Sequence, residues 1–143
     1  MAKEPELLGK YVVITGFKGV KIRDVPVFFE RLRIGIKRGN VQVFDADLVA
    51  GWEHLYFAAF NALKAFETEL NISKDLGVEV LLYASGQHQI RRAVELIGVK
   101  PNSLNVAVLI MAAAKDEADN ALKVVSELLG GEISDEVLEL TKE

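Results

Sequence analysis

The longest uninterrupted apolar run of this chain, Val106 to Ala114, is halted by Lys115. A helix needs roughly 20 apolar residues to cross a bilayer, so the run marks no membrane span and reads as a strand, Asn105 to Ala112. Three further segments carry strand signals. Tyr11-Val12-Val13-Ile14 ends at Thr15-Gly16, and Val41-Gln42-Val43-Phe44 alternates as a half-buried strand should. Glu79 to Ala84 is nearly continuous in its apolar character, which predicts a strand covered on both faces.

Helical spacing fills the intervals. Asp24 is placed to cap a helix with Pro26 in its first turn, and Val25, Phe28, Phe29, Leu32 and Ile36 repeat along one face until Gly39. An alanine-rich helix is expected from Trp52 to Leu70, with Leu55, Ala59, Ala62 and Phe66 inward. A third, with core positions Ile90, Ala93, Val94 and Ile97, is expected to stop at a left-handed Gly98. Ala118, Leu122, Val125 and Leu129 mark a fourth. After Gly130-Gly131, a short helix capped by Ser134 is expected to run to about Lys142. The expectation is one α/β (α+β) domain over residues 1–143, a small mixed sheet of about four strands flanked by helices. Its core would span 10–129, with a C-terminal docking helix at 132–143.

Composition narrows the function. With no cysteine, the 143-residue chain has no disulfide, thiolate nucleophile or Cys-based zinc site. Met1 to Glu6 contains acids and no apolar stretch behind it, so no signal peptide is read and a cytoplasmic location is expected. The net charge of −4 is unevenly spread. Residues 1–40 hold nine Lys and Arg against four acids, whereas 105–143 hold three against nine. That permits a local polyanion site near the basic end but argues against general coating by nucleic acid.

Signatures of catalysis are missing: no glycine-rich nucleotide fingerprint, phosphate loop or serine elbow occurs. His54 and His88 stand on separate elements and no metal set clusters, so neither metal nor cofactor is expected. Asp45 and Asp47 could serve as paired carboxylates, or one caps the following helix while the other is solvated. Ser85-Gly86-Gln87-His88-Gln89 leads into a helix opening on Ile90-Arg91-Arg92. Small residues before a helix start, with two arginines in its first turn, suit an anion such as phosphate. The plainer alternative is a Ser85 cap and an Arg91–Glu95 pair, which leaves Arg92 beside His88 and Gln89 unexplained. His54, Phe57, Asn61 and Lys64 share one stripe of the long helix, a ring, an amide and a cation in the arrangement a nucleotide requires. The alternative is a core Phe57 with a solvated border.

VQVFDADLVAGWEHLYFAAFNALKAF, from Val41 to Phe66, and LLYASGQHQIRRAVELIGVKPNSLNVAVLIMAA, from Leu81 onward, resemble the small kinase-binding regulatory subunit of the archaeal and eukaryotic KEOPS complex. The resemblance implies an archaeal, non-catalytic subunit of the machinery that makes threonylcarbamoyladenosine in tRNA. It implies direct binding to the complex's small atypical kinase-ATPase, contact with the other subunits through that kinase, and capture of the tRNA 3′ CCA end. Carried onto this chain, the tRNA role falls on Lys64 and on Ser85, Gly86, Gln87, His88, Gln89, Arg91 and Arg92, with His54 and Asn61 beside them. The kinase role falls on Ile133, Val137 and Leu138, and a charge at Val137 is expected to abolish docking with the fold intact. Two alternatives stand beside this reading. One is an adaptor without RNA affinity; the other is a small-molecule-binding domain or enzyme using the Ser85 turn and Asp45 or Asp47.

Overall fold

Val106–Ala112 lies inside a sheet and is buried at every position. The computed structural model describes residues 3, 4 and 6–139. Its strands are β1 (Glu6–Leu7), β2 (Lys10–Lys18), β3 (Asn40–Asp45), β4 (Val106–Ala112) and β5 (Glu132–Ile133). The helices are α1 (Val25–Gly35), α2 (Gly51–Glu67), α3 (Leu76–Ser85), α4 (Ile90–Ile97) and α5 (Lys115–Leu129). The sheet runs β1-β2-β4-β3, with β5 added to the far end of β2. Every pairing among these strands is antiparallel, so the sheet is not mixed as expected.

Helical layers cover both faces. Ile14, Leu109 and Met111 pack with α2 and α3, whereas Val13, Val108 and Ile110 pack with α1 and α5. Burial on both sides explains why β4 reads as one apolar run. Each Val, Leu or Ile so buried contributes roughly 1.5–3 kcal/mol relative to exposure.

The segment Glu79–Ala84, expected as a strand, is the middle of α3. Asp75 caps this helix by accepting from Val78 N–H at 3.0 Å, and Gly86 ends it with φ +69°. A short apolar run cannot by itself distinguish a doubly covered strand from a buried helix. Here the caps decide it, and the start of α3 is tied to the outer edge of β3: the Gln42 side chain accepts from Val43 N–H and donates to the Gly77 carbonyl. Glu79 is 1% exposed inside α3, and its carboxylate accepts from the backbone N–H groups of Ile72 and Ser73.

Other elements differ less. Asp24 caps α1 as expected, but the helix ends at Gly35 rather than Gly39. In α4 only Ala93 and Ile97 are buried, while Ile90 and Val94 face outward. Gly98 has φ −70°, so it is not a left-handed cap; its lack of a Cβ instead admits the Val94 carbonyl, 2.5 Å from where that atom would be.

As far as Glu139 the C-terminal segment is a strap, not the helix expected to start at Ser134. Ile133 pairs with Phe17 in β5, a single 3-10 turn covers Asp135–Leu138, and Ser134 makes no side-chain cap. Leu140 and Lys142 lie outside the described residues.

The topology gathers the loops. β2 and β3 end where β4 begins, with Phe17 and Asp45 on either side of Val106. α1 and α2 therefore start at that end of the sheet, and α5 returns to it.

Candidate functional site

Because α3 is a helix, the Ser85–Gln89 segment joins two helices. The Ser85 hydroxyl donates to the Leu82 carbonyl (3.2 Å) and accepts from Gln87 N–H, while Gly86 and Gln87 N–H groups close the end of α3. Gly86 needs its positive φ, and open space surrounds the position a Cβ would take. Gln89 precedes α4 without capping it through its side chain.

His54 positions this turn. Its Nδ1 accepts from Ala50 N–H at 2.9 Å and its Nε2 lies 2.7 Å from the Ala84 carbonyl. An amide can only donate and a carbonyl only accept, so the ring is the neutral tautomer carrying its proton on Nε2. Both nitrogens are thus occupied in holding the start of α2 against the end of α3. His54, expected among the RNA contacts, thus has both ring nitrogens engaged by backbone groups.

The rest of the stripe faces solvent. Phe57 is 61% exposed, overturning its alternative as a core residue, and Asn61 and Lys64 are exposed one and two turns further. The Lys64 ammonium lies 5.9 Å from the Phe60 ring centroid. At 1.5 Å per residue, Lys64 stands about 15 Å along the helix axis from His54. On α4, Arg91 lies 3.7 Å from Glu95, an exposed pair of little energetic consequence. Arg92 and His88 are exposed and make no ion pair among the described residues. The structure therefore brings His88, Gln89, Arg91 and Arg92 together beside the His54 end of the stripe, with Lys64 at the other end. Sequence reasoning missed Tyr83, Ile90 and Val94, which expose apolar surface on α3 and α4. Tyr83 was hidden by the strand reading, and Ile90 and Val94 share the helical spacing of core positions.

Asp45 and Asp47 have structural tasks. Asp45 accepts from Asp47 N–H and from the Ser103 hydroxyl (2.7 Å), and Asp47 accepts from the Asn105 side chain. No group of three or more metal-binding side chains gathers among the described residues.

The strap carries the other candidate residues. Ser134 N–H donates to the Gly16 carbonyl at 2.7 Å, and the Thr15 hydroxyl donates to Asp135 at 3.1 Å. Leu138 is 3% exposed in the core shared by α2 and α3, and Val137 packs against that core. Ile133 is 55% exposed. Of the three proposed docking residues, only Ile133 presents its side chain freely. Because Val137 packs against the core, a charge there is expected to disturb the strap as well as any docking.

Helical layers on both faces of an antiparallel sheet, with apolar and cationic side chains exposed on α2, α3 and α4, make this a domain of the α+β layered class. The chain belongs to the kinase-binding protein CGI-121 family, whose model matches residues 21–142. It is 32% identical over 132 residues to the regulatory protein Cgi121 of Methanocaldococcus jannaschii, covering 92% of this chain and 77% of that relative. No helix among the described residues is long and apolar enough to cross a membrane.

Proposed function

We propose that this chain is the kinase-binding regulatory subunit of a KEOPS complex, docking the small kinase-ATPase through the strap and recruiting tRNA by its 3′ CCA end. It acts without catalytic residues of its own, in the cytoplasm, in threonylcarbamoyladenosine modification. Membership of a kinase-binding family over most of the chain carries the docking half. The RNA half is supported by the exposed α3–α4 turn with Arg91, Arg92 and His88, continued along α2 by Phe57, Asn61 and Lys64. Cations anchor phosphates, while Phe57, Tyr83 and Ile90 offer surfaces on which bases stack, each base contributing about 1–3 kcal/mol without strict sequence preference.

The deciding experiment is a titration of tRNA with and without its CCA end at two salt concentrations. Micromolar affinity is expected at physiological salt, lost on trimming the end and in Arg91→Ala/Arg92→Ala and Lys64→Ala variants. Each lost single-strand phosphate contact lowers the salt slope by roughly 0.7. Weak binding to every RNA, unchanged in the variants, would leave an adaptor that docks the kinase only. Docking is read by co-elution with the kinase. Ile133→Glu removes exposed apolar area without disturbing the core and is expected to abolish co-elution; retention would move the interface off the strap.

A further inference from the structure

Three cations of the basic N-terminal region converge on one cleft that the site above does not use. Lys21 and Arg23, in the loop before α1, and Arg31, within α1, line a depression of about 250 Å³. Its floor includes Ile22, Phe28 and Leu128. All three cations are exposed, and none enters an ion pair among the described residues. Three neighbouring cations are engaged: Lys18 lies 4.0 Å from Glu132, Arg33 3.9 Å from Glu30, and Arg38 3.5 Å from Glu117. The acid lining the cleft, Asp24, already accepts from Val27 N–H at 3.1 Å.

Placement gives the cleft its meaning. The loop carrying Lys21 is tied to the segment that follows α4, since Val20 N–H donates to the Leu104 carbonyl at 3.0 Å. That segment runs from Gly98 through Lys100 into β4. Arg91 and Arg92 thus stand in the helical layer on one face of the sheet and Arg23 and Arg31 in the layer on the other. The C-terminal end of α4 meets this end of the sheet, where Gly98 pairs with Phe44, and α1 starts from it. A second cleft at this end is lined by Asp47, Glu136 and Glu139 with Lys18, and it would repel a phosphate chain.

We propose that the Lys21–Arg23–Arg31 cleft is a second contact for the phosphate backbone of bound RNA, which passes from the α4 side of the sheet to the α1 side clear of the acidic cleft. This rests on the RNA-capture reading above and extends its footprint from the 3′ end into the body of the tRNA. The chemistry favours phosphate: guanidinium groups present paired donors that match phosphate oxygens, and the cleft has no exposed aromatic to anchor a peptide. An RNA already held at Arg91 and Arg92 also brings further phosphates to this end at high local concentration, so modest contacts suffice.

The test compares intact tRNA with a short single-stranded oligonucleotide ending in CCA. Each is titrated over a salt series against the parent, a Lys21→Ala/Arg23→Ala/Arg31→Ala variant and the Arg91→Ala/Arg92→Ala variant. The triple variant is expected to lose roughly tenfold in affinity for tRNA, with a salt slope smaller by about 2, at 0.7–0.9 per contact. Its affinity for the oligonucleotide should be unchanged, whereas the α4 variant should weaken both. Circular dichroism checks that these exposed substitutions leave the fold intact. Full tRNA affinity in the triple variant overturns the second contact alone. A parent that binds neither RNA overturns the capture reading and this contact with it. Full tRNA affinity with lost co-elution of the kinase assigns the cleft to an acidic protein surface, against the proposal.

Discussion

Replacing Gly16 by alanine tests the latch between the C-terminal strap and the sheet. A Cβ at this position would lie 2.2 Å from Val137 Cγ2 and 2.6 Å from the Ser134 carbonyl oxygen. Neither neighbour can yield cheaply, because Ser134 N–H is bonded to the Gly16 carbonyl and Val137 is backed by the core. One added methyl in so close a contact costs about 1–3 kcal/mol. Displacing the strap instead gives up the burial of Leu138, worth roughly 1.5–3 kcal/mol. Either response lowers the melting temperature by about 3–10 °C for a chain of this size. Hydrogen exchange separates the two: a displaced strap exposes the Ser134 amide and the Phe17–Ile133 pairing while the β2–β4 ladder stays protected. Proteolysis after Gly130 should also accelerate, and kinase co-elution should fall more than tRNA binding. Gly19→Ala is the control, since Gly19 has φ +66° and nothing within 4 Å of the added atom. It bears only the left-handed backbone penalty of about 1 kcal/mol. Parent-like stability and exchange in Gly16→Ala would refute the close approach of the strap.

Two further outcomes follow from buried and hydrogen-bonded groups. Glu79→Gln replaces one of the carboxylate oxygens that receive Ile72 and Ser73 N–H by a donor; it should cost about 1–3 kcal/mol in urea unfolding and speed exchange of those two amides, and unchanged values would refute the anchoring role. The Tyr11 phenol donates to Glu4 at 2.7 Å, which raises its pKa above the ordinary value of 10.0. Its stabilising bond is therefore complete below that value and lost as pH rises through the higher folded one; ultraviolet titration should show late deprotonation that Glu4→Gln brings back toward normal.

Much of the layered fold is legible in linear order because it rests on local rules. The Asp24 cap, the alternation at Val41–Phe44, the run through Val106–Ala112 and the 3.6-residue spacing of Ala118, Leu122, Val125 and Leu129 each specify an element without reference to the rest. The polar-basic stretch Ser85–Arg92 and the cation at Lys64 were legible for the same reason. What linear order left open was decided by partners distant in sequence. Glu79–Ala84 lies in a helix that packs against α2 and is tied to β3 through Gln42, and that puts Tyr83 on the surface. That both ring nitrogens of His54 are engaged was hidden in the sequence, because the Ala84 carbonyl lies thirty positions away. The terminal segment read as a helix because its spacing allowed one. Gly16, more than a hundred residues earlier, has no side chain, and that space let the strap lie against β2 and turn Leu138 inward. Short-range spacing determines which elements form where one conformation dominates locally; where two are nearly balanced, burial against a distant surface chooses between them.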